Sequence, residues 1–357
     1  MSTPYVEVMD QWSYLYSPLP LKASLKTTPE DFLVTELLGF EPSGEGEHLF
    51  LLVEKVGLTT DEVSRILAKW LGVAMKVVSY SGLKDKQART QQWFSIHLPG
   101  KDLPELQNFE NDAVRVLKVN RHTKKLQRGA HLANGFSIQL RDLEGDTEGV
   151  AERIEAIARS GVPNYFGPQR FGHDGYNLHM ADRLFQGELT RLSNYKRGLF
   201  ISAARSYLFN NVVSQRIKQG FWERVLNGDI VQNLETGKEF LVSPDNLADT
   251  QSDRELNKVS ATAPMPGAGL RVREESASFE ESVLSPSSEW IQSLGREGLK
   301  HDRRALVLPV SHFTYEFNEA GLRLNFTLPS GSYATSVIRE ICSIHSWRGS
   351  DLSDNVV

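Results

Sequence analysis

Ser81-Gly82-Leu83-Lys84-Asp85-Lys86-Gln87-Ala88-Arg89-Thr90 places one carboxylate between two ammonium groups, on a polar stretch entered through a glycine. Flanking cations favour the ionised form of a carboxylate, so Asp85 is expected to be charged at neutral pH. An ionised, positioned Asp is a nucleophile or a base. The same alternation of charges also suits an exposed hairpin loop. A second segment, Arg121-His122-Thr123-Lys124-Lys125-Leu126-Gln127-Arg128-Gly129, holds four permanent positive charges and no acid, which suits contacts to phosphates. A third, Asn164-Tyr165-Phe166-Gly167-Pro168-Gln169-Arg170-Phe171-Gly172, interleaves aromatic rings with Arg170 and Gln169. Such a segment can stack bases and hold phosphates, or serve as a buried structural loop. Arg205, one turn before Phe209 on a helical pattern, either faces RNA or belongs to an ordinary amphipathic helix.

Charge is unevenly spread. The chain of 357 residues carries a net −5, yet Ser81–Ala130 has ten Lys/Arg against five Asp/Glu, while Leu241–Lys300 has six against ten. A local basic surface matters more to a nucleic-acid partner than the global sum. The single cysteine, Cys342, excludes an internal disulfide and a thiolate-rich zinc site. No metal-binding H-E-x-x-H, dinucleotide G-x-G-x-x-G, Walker loop or G-x-S-x-G elbow occurs, so the chemistry is expected to need no cofactor and no metal. The N-terminal MSTPYVEVMDQW lacks a basic n-region and apolar h-region, and no apolar run approaches ~18 residues. A cytoplasmic protein without a membrane span is the expectation.

The elements that must position these residues follow from periodicity. Leu21–Leu37 reads as extended around a turn at Pro29, and His48–Lys55 as a strand. Thr59 and Glu62 have capping-box spacing, and Val63, Ile66, Leu67, Trp70 and Leu71 continue a helix that Gly72 can end. Val77–Tyr80, Trp93–Leu98, Val114–Val119 and Phe136–Leu140 read as strands, and Gly149–Ser160 as a helix. Phe200–Lys218 is a strong helical pattern, and Gln232–Gly298 is dense in Ser, Asp, Glu, Pro and Gly. Strand character returns at Ala305–Leu308, His312–Phe317 and Leu322–Leu328, before a final helix expected from Ala334 to about His345. A strand-rich start, a helical middle and a strand-rich end predict an α+β fold with a discontinuous domain and an insertion.

Taken in order, these segments resemble the TruD family of tRNA pseudouridine synthases. The resemblance runs through Lys26-Thr27-Thr28-Pro29-Glu30-Asp31-Phe32, Gly44-Glu45-Gly46-Glu47-His48 and Gly82-Leu83-Lys84-Asp85-Lys86. It continues in Arg121-His122, Lys125-Leu126, Asn134-Gly135-Phe136 and the 164–172 segment, and ends with Ser202-Ala203-Ala204-Arg205-Ser206 and Leu328-Pro329-Ser330-Gly331-Ser332-Tyr333-Ala334-Thr335-Ser336-Val337. It implies a mixed, mainly antiparallel catalytic sheet flanked by helices, formed by residues 1–159 and 309–357, with an inserted α/β TRUD domain at 160–308. It implies isomerisation of a uridine in tRNA, at position 13, with Asp85 as the catalytic carboxylate. Phe32, Asn134 and Tyr333 fall at positions that line the uridine site, and Lys26 at a lysine that pairs with the catalytic Asp. The family usually carries Phe where Tyr333 stands. Lys84, Lys86, Arg121, Lys124, Lys125, Arg128, Arg170 and Arg205 are the cations expected to meet RNA. The partner is tRNA, and no obligate protein partner is implied. Two alternatives stand beside it: an RNA glycosylase or nuclease using the same Asp, which product analysis separates, and a tRNA-binding or tRNA-folding protein with a vestigial site, which turnover separates.

Overall fold

The computed structural model describes residues 12–17, 19–100, 109, 111–189, 191–269 and 274–347. The first eleven residues of the N-terminal segment, and Lys101 of the basic stretch, lie outside them.

In chain order the first half contains β1 (Leu21–Leu25), β2 (Phe32–Leu37), β3 (His48–Lys55), α1 (Thr60–Trp70), β4 (Val78–Tyr80), β5 (Arg89–His97), β6 (Val114–His122), β7 (Ala133–Gly145) and α2 (Val150–Ser160). The middle contains β8 (Val162–Pro163), α3 (Tyr176–Phe185), α4 (Asn194–Lys218), β9 (Ile230–Asn233), β10 (Glu239–Leu241), α5 (Leu247–Glu255), β11 (Val259–Met265), α6 (Glu274–Leu284), α7 (Ser288–Arg296), β12 (Asp302–Ala305) and β13 (Val307–Leu308). β14 (Ser311–Asn318), β15 (Gly321–Pro329), α8 (Ala334–Ile338) and β16 (Ser343–Trp347) complete it.

Alternation in the sequence becomes the two faces of a large sheet. In β2, Phe32, Val34 and Glu36 turn to the buried face while Leu33, Thr35 and Leu37 turn away. The sheet runs β14-β15-β7-β2-β5-β3-β6, with β1 beside β7 and β4 beside β5. It is antiparallel except where β2 lies parallel to β5 and β1 parallel to β16. A second, four-stranded sheet, β10-β9-β11-β12, is built wholly from the middle of the chain. The fold is thus α+β with a largely antiparallel sheet and helices, as expected.

Local signals explain the element boundaries. Glu62 N–H donates to Thr59 Oγ1 (3.2 Å) and Thr59 N–H to the Glu62 carboxylate (2.6 Å), so the capping box that starts α1 is closed in both directions. A 3-10 turn at Pro29–Asp31 joins β1 to β2, and Asp31 is clamped by Arg141 of β7.

Three expectations need correction. The polar stretch before Gln92 is shorter than read, because β5 starts at Arg89: Arg89–Gln91 pair with β2. The final helix ends at Ile338 rather than near His345, and Ser343–Trp347 is a strand whose backbone pairs with β1. The helix read from Phe200 begins at Asn194, where the Ser193 hydroxyl accepts the Lys196 N–H (3.3 Å).

Candidate active site

The loop from Ser81 to Ala88 joins β4 to β5 and is fastened along its length. Thr60, the first residue of α1, accepts the Lys84 N–H (3.0 Å) on the same hydroxyl that donates to Gln92 of β5 (3.1 Å). The Gln92 amide in turn donates to the Gly82 carbonyl. Ser81 takes the His131 N–H (2.9 Å), and its carbonyl accepts Gly129 N–H (2.7 Å). Thr60, Ser81 and Gln92 are all buried, so each polar group finds its partner inside the protein.

At the outer end of this loop stands Asp85. Its Oδ2 is paired with Lys26 Nζ, and its Oδ1 accepts the Gln87 N–H (3.0 Å). Its backbone carbonyl accepts from Lys55 Nζ (2.7 Å). Burial works against the Asp85 charge, but Lys26, the Gln87 amide and Lys55 outweigh it and hold the carboxyl below its ordinary range. About a third of the side chain still meets solvent. Lys26 follows β1 in the left-handed backbone region, φ 57°, and is only 6% exposed, with its ammonium 4.3 Å from the centre of the Phe32 ring. Lys55 is fully enclosed, and burial pulls its pKa down to about 8.

Lys84 faces the other way. Its ammonium meets the buried Glu36 carboxylate (2.7 Å) and donates to Asn134 Oδ1 (2.8 Å). Glu36 and Asn134 are opposite one another in the β2–β7 register. Burial raises the Glu36 pKa while Lys84 opposes the rise. Asn134 Nδ2 lies 3.3 Å from His131 Nε2, and burial, with Lys84 nearby, brings the His131 pKa down to about 4. His131 is therefore neutral at pH 7.

Tyr333 belongs to a separate aromatic cluster at the N-terminus of α8. Its hydroxyl accepts from Arg170 Nε (3.0 Å), and its ring meets Phe166 edge-on at 5.8 Å. Arg170 also donates to Ser202 (3.1 Å). Arg304 lies over the Phe166 ring at 4.4 Å and donates to the Gly331 carbonyl (3.2 Å). Register connects the two clusters, because Leu328, just before the turn to Tyr333, pairs with Asn134. A cavity of about 580 Å³ opens beside Phe166 and Gly167, and Asp85 does not line it.

The sequence-predicted residues therefore divide. Asp85, Lys26 and Phe32 form one chain of contacts, and Lys84 with Asn134 another beneath the same loop. Phe32 itself is largely buried against Phe136. Lys86, half-buried, carries its charge near Glu62. Lys124, Lys125 and Arg128 are exposed on the loop after β6. Arg121 donates to the Leu98 carbonyl (3.0 Å), and Arg205 to the Met265 and Lys300 carbonyls (2.8 and 3.1 Å). Lys84 neutralises a buried carboxylate, and Arg205 donates to backbone oxygens. Lys55, Glu36, His131 and Arg304 were not singled out from sequence. Glu36 carried a signal, since strict alternation puts it on the apolar face with Phe32 and Val34, where a carboxylate requires a partner. Among the described residues no group of three or more His, Cys, Asp or Glu is arranged to hold a metal ion.

The family model for tRNA pseudouridine synthase D (TruD) matches residues 9–192 and 176–341. A tRNA pseudouridine synthase D of Aeromonas hydrophila is 43% identical over 336 residues, covering 94% of each chain. One from Hydrogenovibrio crunogenus is 39% identical over 94% of this chain and 97% of its own. A crystal structure from Methanosarcina mazei, assigned as a tRNA pseudouridine synthase D, superposes with a TM-score of 0.75 at 25% identity, covering 95% of this chain and 98% of that one.

Proposed function

Because the chain belongs to the tRNA pseudouridine synthase D (TruD) family and is a tRNA pseudouridine synthase, we propose that Asp85 is the carboxylate that acts on the target uridine, at position 13 of the tRNA. The observation that carries this reading is a carboxylate kept ionised by Lys26 and fixed by the Gln87 amide, yet open to solvent on a loop that is otherwise tied down. Pre-positioning of this kind lowers the cost of reaching a reactive geometry.

The reaction separates uracil from C1′, turns it and rejoins it through C5, with no change in mass. The base leaves the helical stack to be reached. Asp85 either attacks C1′ covalently or removes the 2′ proton to give a glycal. Tyr333 supplies a stacking face, and Asn134, held by Lys84 and His131, orients groups on the nucleotide. Phe32 supports Lys26 from below. Lys86, Arg121, Lys124, Lys125, Arg128 and Arg170 are the cations assigned to the RNA. Residues 1–159 and 309–357 form the catalytic part, and 160–308 the inserted domain. The separation of the four-stranded sheet from the large one supports that division. No described helix is long and apolar enough to cross a membrane, and a cytoplasmic site of action goes with the tRNA substrate.

The test is incubation of Asp85→Asn with unmodified tRNA, followed by a chemical assay for pseudouridine. No product is expected, with tRNA affinity within a few-fold of wild type. Measurable turnover by the pure variant would overturn the assignment.

A further inference from the structure

Beside the residues that lead into the Ser81–Ala88 loop, a cleft of about 410 Å³ lies between the first turns of α1, residues 75–80 and the loop at 125–128. Its cations come from two separate places in the sequence: Lys76 from the turn before β4, Lys125 and Arg128 from the loop after β6. One acid, Asp61, reaches it, and that carboxylate accepts the Tyr80 hydroxyl (2.7 Å). The Arg128 guanidinium sits 5.0 Å from the centre of the Tyr80 ring and donates to the Tyr80 oxygen (3.2 Å). Stacked in this way it is pre-ordered, and its fork retains further N–H donors.

We propose that this cleft seats a phosphodiester of the bound tRNA, gripped by Lys76, Lys125 and Arg128. The proposal rests on the tRNA reading above and adds a defined place where the backbone is held. An excess of cations over acids and a docked arginine together match a tetrahedral anion with several acceptor oxygens. The cleft also explains how the grip is coupled to the chemistry. Tyr80 and Asp85 are five residues apart, so at most about 18 Å of chain separates them, the span of a few nucleotides. Thr60 holds the loop from the turn of α1 that also gives Asp61 to the cleft. A phosphate seated here would fix the register of the strand that presents its uridine to Asp85.

The experiment measures affinity for unmodified tRNA across a salt series, with single-turnover pseudouridine formation at saturating tRNA read alongside. Lys76→Ala and Arg128→Ala are each expected to weaken binding by about three- to tenfold and to reduce the slope of log K against log salt by roughly 0.7–0.9, one phosphate contact. Lys69→Ala, an exposed cation on α1 outside the cleft, is the control and should leave the slope unchanged. The saturated rate should stay at the wild-type value in Lys69→Ala. If Lys76→Ala and Arg128→Ala bind like wild type, or if Lys69→Ala has the same effect as they do, the cleft is not a phosphate seat. The Asp85 reading survives that result as long as wild type turns over and Asp85→Asn does not. Loss of that contrast would instead overturn the Asp85 reading, because binding is measured separately from turnover.

Discussion

Asp85 keeps its charge against its own burial because Lys26 is closed on one oxygen and a backbone N–H on the other. Replacing Lys26 with Met removes the largest opposing influence, so the Asp85 pKa must rise. If the ionised form is the active one, the acidic limb of the single-turnover rate–pH profile moves to higher pH in Lys26→Met, and an unmoved limb would remove Lys26 from this role. Tyr333 poses a different question. Its hydroxyl accepts from Arg170, which Ser202 also holds, so Tyr333→Phe should keep most activity. Tyr333→Ala deletes the ring and should lose about tenfold or more, taking base–aromatic stacking at ~1–3 kcal/mol. Equal inactivity of the two folded variants in single-turnover kinetics would assign the hydroxyl to proton chemistry. At this scale the sequence was informative about Asp85, because a carboxylate between two lysines is visible without a fold. It did not reveal the inward turn of Lys84, which depends on Glu36 and Asn134, far off in the sequence and brought together only through the β2–β7 register.

The Ser81–Ala88 loop shows how elements confer precision on the site. Thr60 both accepts from the Lys84 N–H and donates to Gln92, so one hydroxyl ties α1, β5 and the loop together. Thr60→Val leaves the buried Lys84 N–H and Gln92 carbonyl unpaired. It should cost about 1–3 kcal/mol of stability. The looser loop should lower single-turnover rate by roughly tenfold or more, with tRNA affinity unchanged. A destabilised variant that turns over at the wild-type rate would show that the loop needs no such anchor. Elements with local instructions were legible in advance: the capping box of α1 and the extended run of Leu21–Leu37 around a turn at Pro29 both appear in the structure. The end of the chain was not. Ala334–Ile338 satisfies a helical pattern, but Ser343–Trp347 is claimed by β1, a partner that periodicity cannot reveal. The start of α4 was missed for the opposite reason, since Ser193 caps a first turn that carries no apolar stripe.

Across the whole molecule, the middle of the chain is pinned by charge as well as by apolar packing. Arg216 of α4 and Asp229 are both fully buried, joined by two hydrogen bonds of 2.9 and 2.6 Å, and Ser276 donates to the same carboxylate (2.7 Å). Arg216→Met strands the Asp229 charge and should cost about 3–5 kcal/mol. Denaturant unfolding checks this, and a variant within about 1 kcal/mol of wild type would show that Asp229 is neutralised by other means. The large sheet is organised differently, by pairing between chain ends. Lys22 of β1 is matched to Ser343 of β16, more than three hundred residues later. During synthesis β1 therefore emerges long before its parallel neighbour exists, a wait of roughly 16–64 s at ordinary ribosomal speeds of about 5–20 residues per second. Every strand of the four-stranded sheet leaves the ribosome in that interval, so the smaller sheet is complete in the nascent chain while the larger one is still missing β14, β15 and β16. Completion of the large sheet thereby waits for β14, β15 and β16, the last strands described.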